Sequence, residues 1–283
     1  MTDVCLIADY FYKDLIGGAE LNDFSVIQRL EAAGISVKEM HCHNVTVEFL
    51  KKNKQMQYIV ANFVLLPEKV KQFFISERLN YVIYEHDHKY LKRRNPIFYK
   101  DFIAPDSDLA NVEFYKTAKA VVCLTQLAVD VFKANTGLEN VAKIGASVWT
   151  DEDLDFISDL SNTTKNNKFA IVDSNNPIKK REKCIQFCEA RDVPYDLISD
   201  RDHRRFLEKL SKYKGLAFMT GHLETCCRLV VEAKMMNCKV ITQQRLIGAA
   251  SEPWFELNGI ELVESIREIS KKSLDVFLGS FDG

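Results

Sequence analysis

No apolar run in this 283-residue chain approaches the ~20 residues that a helix needs to cross a bilayer. The N-terminal stretch, MTDVCLIADYF, has no basic residues ahead of its apolar run and reads as a first strand, so no secretory signal is expected. The formal net charge of −2 gives no general pull toward nucleic acid. Neither G-x-G-x-x-G nor the Walker A pattern occurs, which argues against a dehydrogenase and a P-loop NTPase. Eight cysteines are present, but Cys5 and Cys123 fall in expected strands and Cys184, Cys188, Cys226 and Cys227 on expected helices. Such positions suit reduced, buried thiols in a cytoplasmic protein better than a disulfide framework. Cys184 and Cys188 have no matching Cys or His pair for zinc. No internal repeat is evident.

The chain does carry a large apolar fraction, 47%, with 28% charged residues, enough to fill the cores of one large or two medium domains. Short apolar runs alternate with helical patterns. Strands are expected at 3–8, 35–40, 58–64, 81–84 and 120–124, with helices between most of them, among them one ending near Ala33 and one over 127–132. The segment 148–167 is acidic and then polar, and reads as a short helix followed by a linker. Strands resume at 169–173, 195–198, 215–218 and 239–242, with helices at 180–190 and 204–213 and a helical tail over 266–277. The reading is α/β, with two Rossmann-like domains facing across a cleft. Residues 1–150 form the first and 168–265 the second. A linker covers 151–167, and a C-terminal helix in 266–283 is expected to pack back on the first domain.

Residues Phe218 to Thr242 form one strand–turn–helix–strand unit. Its helix is expected to start near Glu224 and to bury Leu229, Val230, Ala233 and Met236. On such a helix Glu232 lies about 80° round and about 12 Å along from Glu224, too far for a close carboxylate pair. Two ends of one elongated ligand would suit that spacing. Thr220, Gly221 and Thr225 add hydroxyl and backbone donors in the turn. Gly17-Gly18, between a strand and a helix, is either a tight turn or a place where backbone N–H groups meet a phosphate. His86-Asp87-His88 follows a strand end, where α/β ligand sites lie. Ligand contact by His86 or Asp87, a structural polar cluster and a metal site all fit it. Lys89, Lys92, Arg93 and Arg94 form a basic run, read as a solvated face or an aid to an anionic acceptor or membrane surface. Asn175-Asn176-Pro177 is turn chemistry. Lys179 and Lys180, cations at a helix start where the dipole disfavours them, hint at a bound anion such as a diphosphate.

Together these motifs resemble the retaining GT-B glycosyltransferases, and among them glycosyltransferase family 4. ETCCRLVVE, with Glu224 and Glu232 separated by seven residues, is similar to the family's EX7E motif. Gly17-Gly18-Ala19-Glu20 matches its GGAE segment, and His86-Asp87 its strand-end His-Asp. The resemblance implies a nucleotide-sugar donor, a carbohydrate or other hydroxyl acceptor, and no cofactor or metal; the near-neutral charge leads us to expect no nucleic acid partner. It implies that Glu224 and His86 serve the transferred sugar and that Glu232 contacts the ribose. Gly17, Gly18, Asn175, Lys179, Lys180, Gly221 and Thr225 complete the donor site. Peripheral membrane contact is the remaining partner expectation. Asn175 stands where the family usually has an Arg on the diphosphate, a loss of about 1.5–3 kcal/mol unless Lys179, Arg181 or Arg228 replaces it. The usual Pro-Phe-Gly after the first Glu is also replaced, by Thr225-Cys226-Cys227. Two rival readings stand beside the transferase: a non-catalytic nucleotide-sugar-binding protein of the same fold, and a sugar-nucleotide epimerase.

Overall fold

The computed structural model describes residues 4–281. The chain divides into two units. One runs to Val148 and takes in the residues from Ile269 onward, and the other is Trp149–Glu268. Both are α/β, each built on a parallel sheet.

The first unit runs β1 (Val4–Ala8), α1 (Gly18–Ala32), β2 (Val37–His41), α2 (Val47–Lys52), β3 (Gln57–Val60), α3 (Glu68–Glu77), β4 (Tyr81–Glu85), α4 (Val112–Thr117), β5 (Val121–Cys123), α5 (Gln126–Thr136) and β6 (Val141–Lys143). The strands form one sheet in the order β2-β1-β3-β4-β5-β6, every pair parallel. Helices cover the sheet, so the inner strands need side chains that bury on both faces, and β1 and β4 are buried along their whole length. The edge strand β6 is short and part-exposed, which is why no apolar run betrays it. The strand expected over 58–64 ends at Val60. The Asp9 carboxylate accepts the N–H groups of Val64 and Leu65, both at 2.9 Å, and turns the chain away. The strand order reverses between β1 and β3, so the loops that follow these two strands leave from a switch point.

The second unit runs α6 (Asp151–Leu160), β7 (Phe169–Val172), α7 (Arg181–Glu189), β8 (Tyr195–Ile198), α8 (His203–Leu210), β9 (Gly215–Ala217), α9 (Arg228–Met235) and β10 (Lys239–Ile241). Its sheet has the order β10-β9-β7-β8, again all parallel, with its switch point between β7 and β9. Helix α6 takes most of the segment read as a linker. Thr150 caps it by accepting from Asp153 N–H, and Arg267 reaches Asp151 and Asp155 on its surface. The last helix, α10 (Gly259–Phe281), begins earlier than the expected tail. Within the first unit its Phe277 packs edge-on against Tyr84 of β4, ring centroids 5.0 Å apart.

Gly215 opens β9 between Phe169 of β7 and Lys239 of β10. A Cβ there would run into the Phe169 ring and lie 2.5 Å from the Lys239 carbonyl. Gly215→Ala is therefore expected to destabilise the second unit by about 1–3 kcal/mol, measured by urea unfolding. An unchanged midpoint would show that the sheet shifts to make room at no cost.

Candidate functional site

In the second unit the sequence candidates gather on loops at the carboxyl edge of the sheet, on both sides of the switch point. After β9 the chain turns at Thr220-Gly221-His222. The Thr220 hydroxyl accepts the His222 N–H and donates to Glu224 Oε1, each at 3.0 Å. Glu224 is not on the helix. Its N–H donates to Leu246 O at 3.0 Å, and its carbonyl accepts from Gly248 N–H at 2.8 Å. This makes a parallel bridge to Ile247. Cys226 O takes Ala249 N–H in the same way, and left-handed Cys227 (φ 76) then starts α9 at Arg228. The expected helical arc between Glu224 and Glu232 is thus corrected: pairing with residues 246–249 supplies the backbone partners that a first helical turn would have lacked. The Glu224 carboxylate is left part-exposed, while Thr225, Cys226 and Cys227 are buried. Burial, reinforced by Glu224 and opposed by Lys179, pushes the Cys227 thiol well above its usual range.

The loop after β7 meets this turn. Gly221 N–H donates to Ile178 O at 2.7 Å. The Lys180 side chain lies over Gly221, where any Cβ would strike its Cε. Lys180 is itself left-handed (φ 45) and caps α7 instead of belonging to it. Lys179 Nζ sits 5.3 Å from the Phe218 ring centroid. Asn175 and Lys180 line an open hollow of about 310 Å³ with Ser174 and Asn176. The cations proposed to replace the absent Arg now separate. Arg181 is taken up by Asp173 (2.7 Å) and Glu182, and Arg228 lies buried against Glu232 and the Trp149 ring. Lys179 and Lys180 make no ion pair among the described residues.

Glu232 sits in mid-helix, 2% exposed. Its Oε1 accepts from Trp149 Nε1 at 3.0 Å with Arg228 Nε at 3.5 Å, and its Oε2 meets His203 Nε2 at 3.2 Å. Burial works against the charge, but His203, Arg228 and the Trp149 N–H outweigh it and hold the carboxyl down to about 2. For His203 burial opposes the cation, yet Glu232 prevails and the imidazole is raised. Neither His203 nor Trp149 stood out in the sequence. RDHRRF reads as a charged surface, and Trp149 lies at the edge of the acidic segment.

In the first unit Gly17 is extended (φ −141) and α1 starts at Gly18. Glu20 turns inward. Burial raises its carboxyl, its own N–H and His86 oppose the rise, and Asp23 and Asp87 add to it. His86 Nε2 meets Asp23 Oδ1 at 2.9 Å, both side chains almost wholly buried. Asp23 is a partner that sequence reading missed, because an inward Asp one turn inside a helix has no local signature. His86 and His88 do not converge: His88 Nδ1 meets Tyr90 OH at 2.8 Å. Among the described residues no group of three or more His, Cys, Asp or Glu could hold a metal ion. The basic run is corrected in part. Lys89 is buried, 3.1 Å from Glu85, whose other oxygen takes the Tyr115 hydroxyl. Arg94 pairs with Asp87 at 3.1 Å. All eight cysteines are buried, and none is in a disulfide.

No protein family and no curated protein matches the sequence. Solved structures do match. An α-glucosyltransferase in complex with UDP and a 13-mer DNA containing a central A:G mismatch is 10% identical at a TM-score of 0.56, covering 100% of this chain and 94% of that one. The α-glucosyltransferase with UDP and a 13-mer DNA containing an HMU base gives 10% and 0.55, covering 99% and 98%. The lipopolysaccharide outer core galactosyltransferase WaaB in its apo form gives 10% and 0.50, covering 99% and 95%. The fold is GT-B. At such identity the likeness lies in the backbone, and the side-chain assignments rest on the geometry above. Among the described residues no helix is long and apolar enough to cross a membrane.

Proposed function

We propose that this chain is a retaining glycosyltransferase that moves a sugar from a nucleotide-diphosphate donor to a hydroxyl acceptor. The observation that carries the reading is the second unit's switch point. A part-exposed residue, Glu224, stands there on a bridge with its carboxylate oriented by Thr220, next to a loop carrying two cations that have no acidic partner among the described residues. Lys179 and Lys180 meet the donor diphosphate, and Asn175 lines the hollow beside Lys180 without adding charge. Glu224 serves the transferred sugar, and the Glu232 region marks the ribose end. Gly221 and buried Thr225 flank Glu224 in the turn after β9. The bond from the anomeric carbon to the phosphate oxygen breaks as the acceptor oxygen bonds the same face, and the acceptor proton passes to the departing phosphate. The cations stabilise that leaving group without a metal or a cofactor. The acceptor, and the ligand roles of Gly17, Gly18 and His86, are assigned to the first unit. Buried cysteines without disulfides fit the reducing cytoplasm.

The test is incubation with UDP-, GDP- and ADP-sugars, following donor hydrolysis and thermal shift. Acceptor arms are simple sugars and an HMU-containing duplex, included because two of the similar structures hold DNA. A net charge of −2 favours the sugars. Silence toward every nucleotide sugar sinks the proposal. Binding without turnover, unchanged by Glu224→Ala, favours the non-catalytic binding protein instead.

A further inference from the structure

His203 begins α8 at the carboxyl edge of β8, and β8 pairs with β7, so its loop neighbours the one that carries Lys179 and Lys180. Its ring is held by one nitrogen. Nε2 meets Glu232 Oε2 at 3.2 Å, and Glu232 is in turn fixed by the Trp149 indole at 3.0 Å. Among the described residues Nδ1 makes no hydrogen bond. The accessibilities differ in the same sense: the Glu232 side chain is 2% exposed and that of His203 17%. A ligand approaching this cluster therefore meets the imidazole before the carboxylate.

An imidazole oriented by a buried carboxylate, with its second nitrogen open, is a preorganised hydrogen-bonding group. Holding it in the folded protein removes rotamer freedom that a ligand would otherwise have to freeze. Nδ1 accepts from a hydroxyl when the ring is neutral and donates to the hydroxyl oxygen when the ring is charged, so one hydroxyl group suits both states.

We propose that His203 is a donor-binding residue, with Nδ1 hydrogen-bonding a ribose hydroxyl of the nucleoside diphosphate while Glu232 and Trp149 position the ring. This rests on the reading above that the ribose lies at the Glu232 end of the donor. It changes the part Glu232 plays there. The carboxylate that the motif resemblance puts on the ribose acts through His203.

The test is a binding titration of UDP, GDP and ADP, read by calorimetry on the full chain, with the dideoxy analogues that lack both ribose hydroxyls and inorganic pyrophosphate as controls. Wild type is expected to bind its preferred diphosphate about three- to tenfold more tightly than the dideoxy form, the range for one hydrogen bond. His203→Ala should bind the ribo form weaker by a similar factor and lose the discrimination. Pyrophosphate binding should not change, and His203→Asn, whose amide lies near the Nδ1 position, should recover part of the loss. Because ribo and dideoxy forms are compared within each variant, a general loss of stability cannot mimic the result. If His203→Ala still discriminates as wild type does, the inference is overturned and the transferase reading stands. If wild type binds no nucleoside diphosphate, the reading of the site falls and takes this inference with it.

Discussion

Glu224→Gln is expected to slow sugar transfer on the order of a hundredfold while leaving nucleoside diphosphate affinity within about twofold, the pattern for losing a group that acts on the reacting sugar. The geometry supports a local effect. The Glu224 backbone is held by Leu246 and Gly248, and neither bond involves the side chain. The Gln amide keeps an oxygen for the Thr220 hydroxyl, so the loop has no reason to move. Steady-state kinetics with the responsive donor, paired with a diphosphate titration, separate the two quantities. A rise in KM with kcat unchanged would move Glu224 from the transferred sugar to ground-state binding. An unfolded variant would contradict the bridge as the source of its position.

Glu232→Ala is expected to carry a large stability cost in the second unit. It leaves Arg228 and His203 without their carboxylate and the Trp149 N–H without its acceptor, all buried or nearly so. Breaking a buried pair from one side costs about 3–5 kcal/mol, which corresponds to a fall of roughly 10 °C in apparent Tm. The pH dependence follows from the sign of the shift. A carboxyl held down to about 2, against an ordinary 4.5, contributes stability above 4.5 that is lost as pH falls toward 2. The gap between wild type and Glu232→Ala should therefore be widest between pH 4.5 and 6.5 and close through that acid window. His203 works in the opposite direction. Its imidazole is raised, so its share is present in acid and fades as pH climbs through the raised value. Thermal melts at a series of pH values test both. A gap that does not narrow in acid would mean that Glu232 is not ionised in the folded state.

Most strands were legible because both faces of a parallel sheet are covered, and runs such as VCLIA and YVIYE have no other stable destination than a buried strand. The edge strand β6 escaped for the converse reason: with one flank open, VAK carries no surplus of apolar side chains. The placement of the Glu224 and Lys180 loops was legible too, since loops that follow parallel strands leave from the carboxyl edge. The conformation of Glu224 was not. A helix start and a bridge to residues more than twenty positions away satisfy the same backbone groups, and local pattern cannot choose between them. Lys89 shows the same limit, because it reads as one of a basic run whose other members, Lys92, Arg93 and Arg94, are exposed, while its partner Glu85 ends the buried strand β4.

The order of apolar runs, with Gly17-Gly18 and the two glutamates among them, was therefore enough for the α/β class and for a nucleotide-sugar hypothesis, because burial and loop placement follow from side-chain pattern alone. Tertiary structure alone decided which charges are spent and which are free. Arg181 and Arg228 are neutralised by Asp173 and Glu232, Lys179 and Lys180 have no ion pair among the described residues, and His203 is lifted from an ordinary surface string to the open end of a buried network. Ion pairs join residues by distance in space, and no spacing along the chain records it.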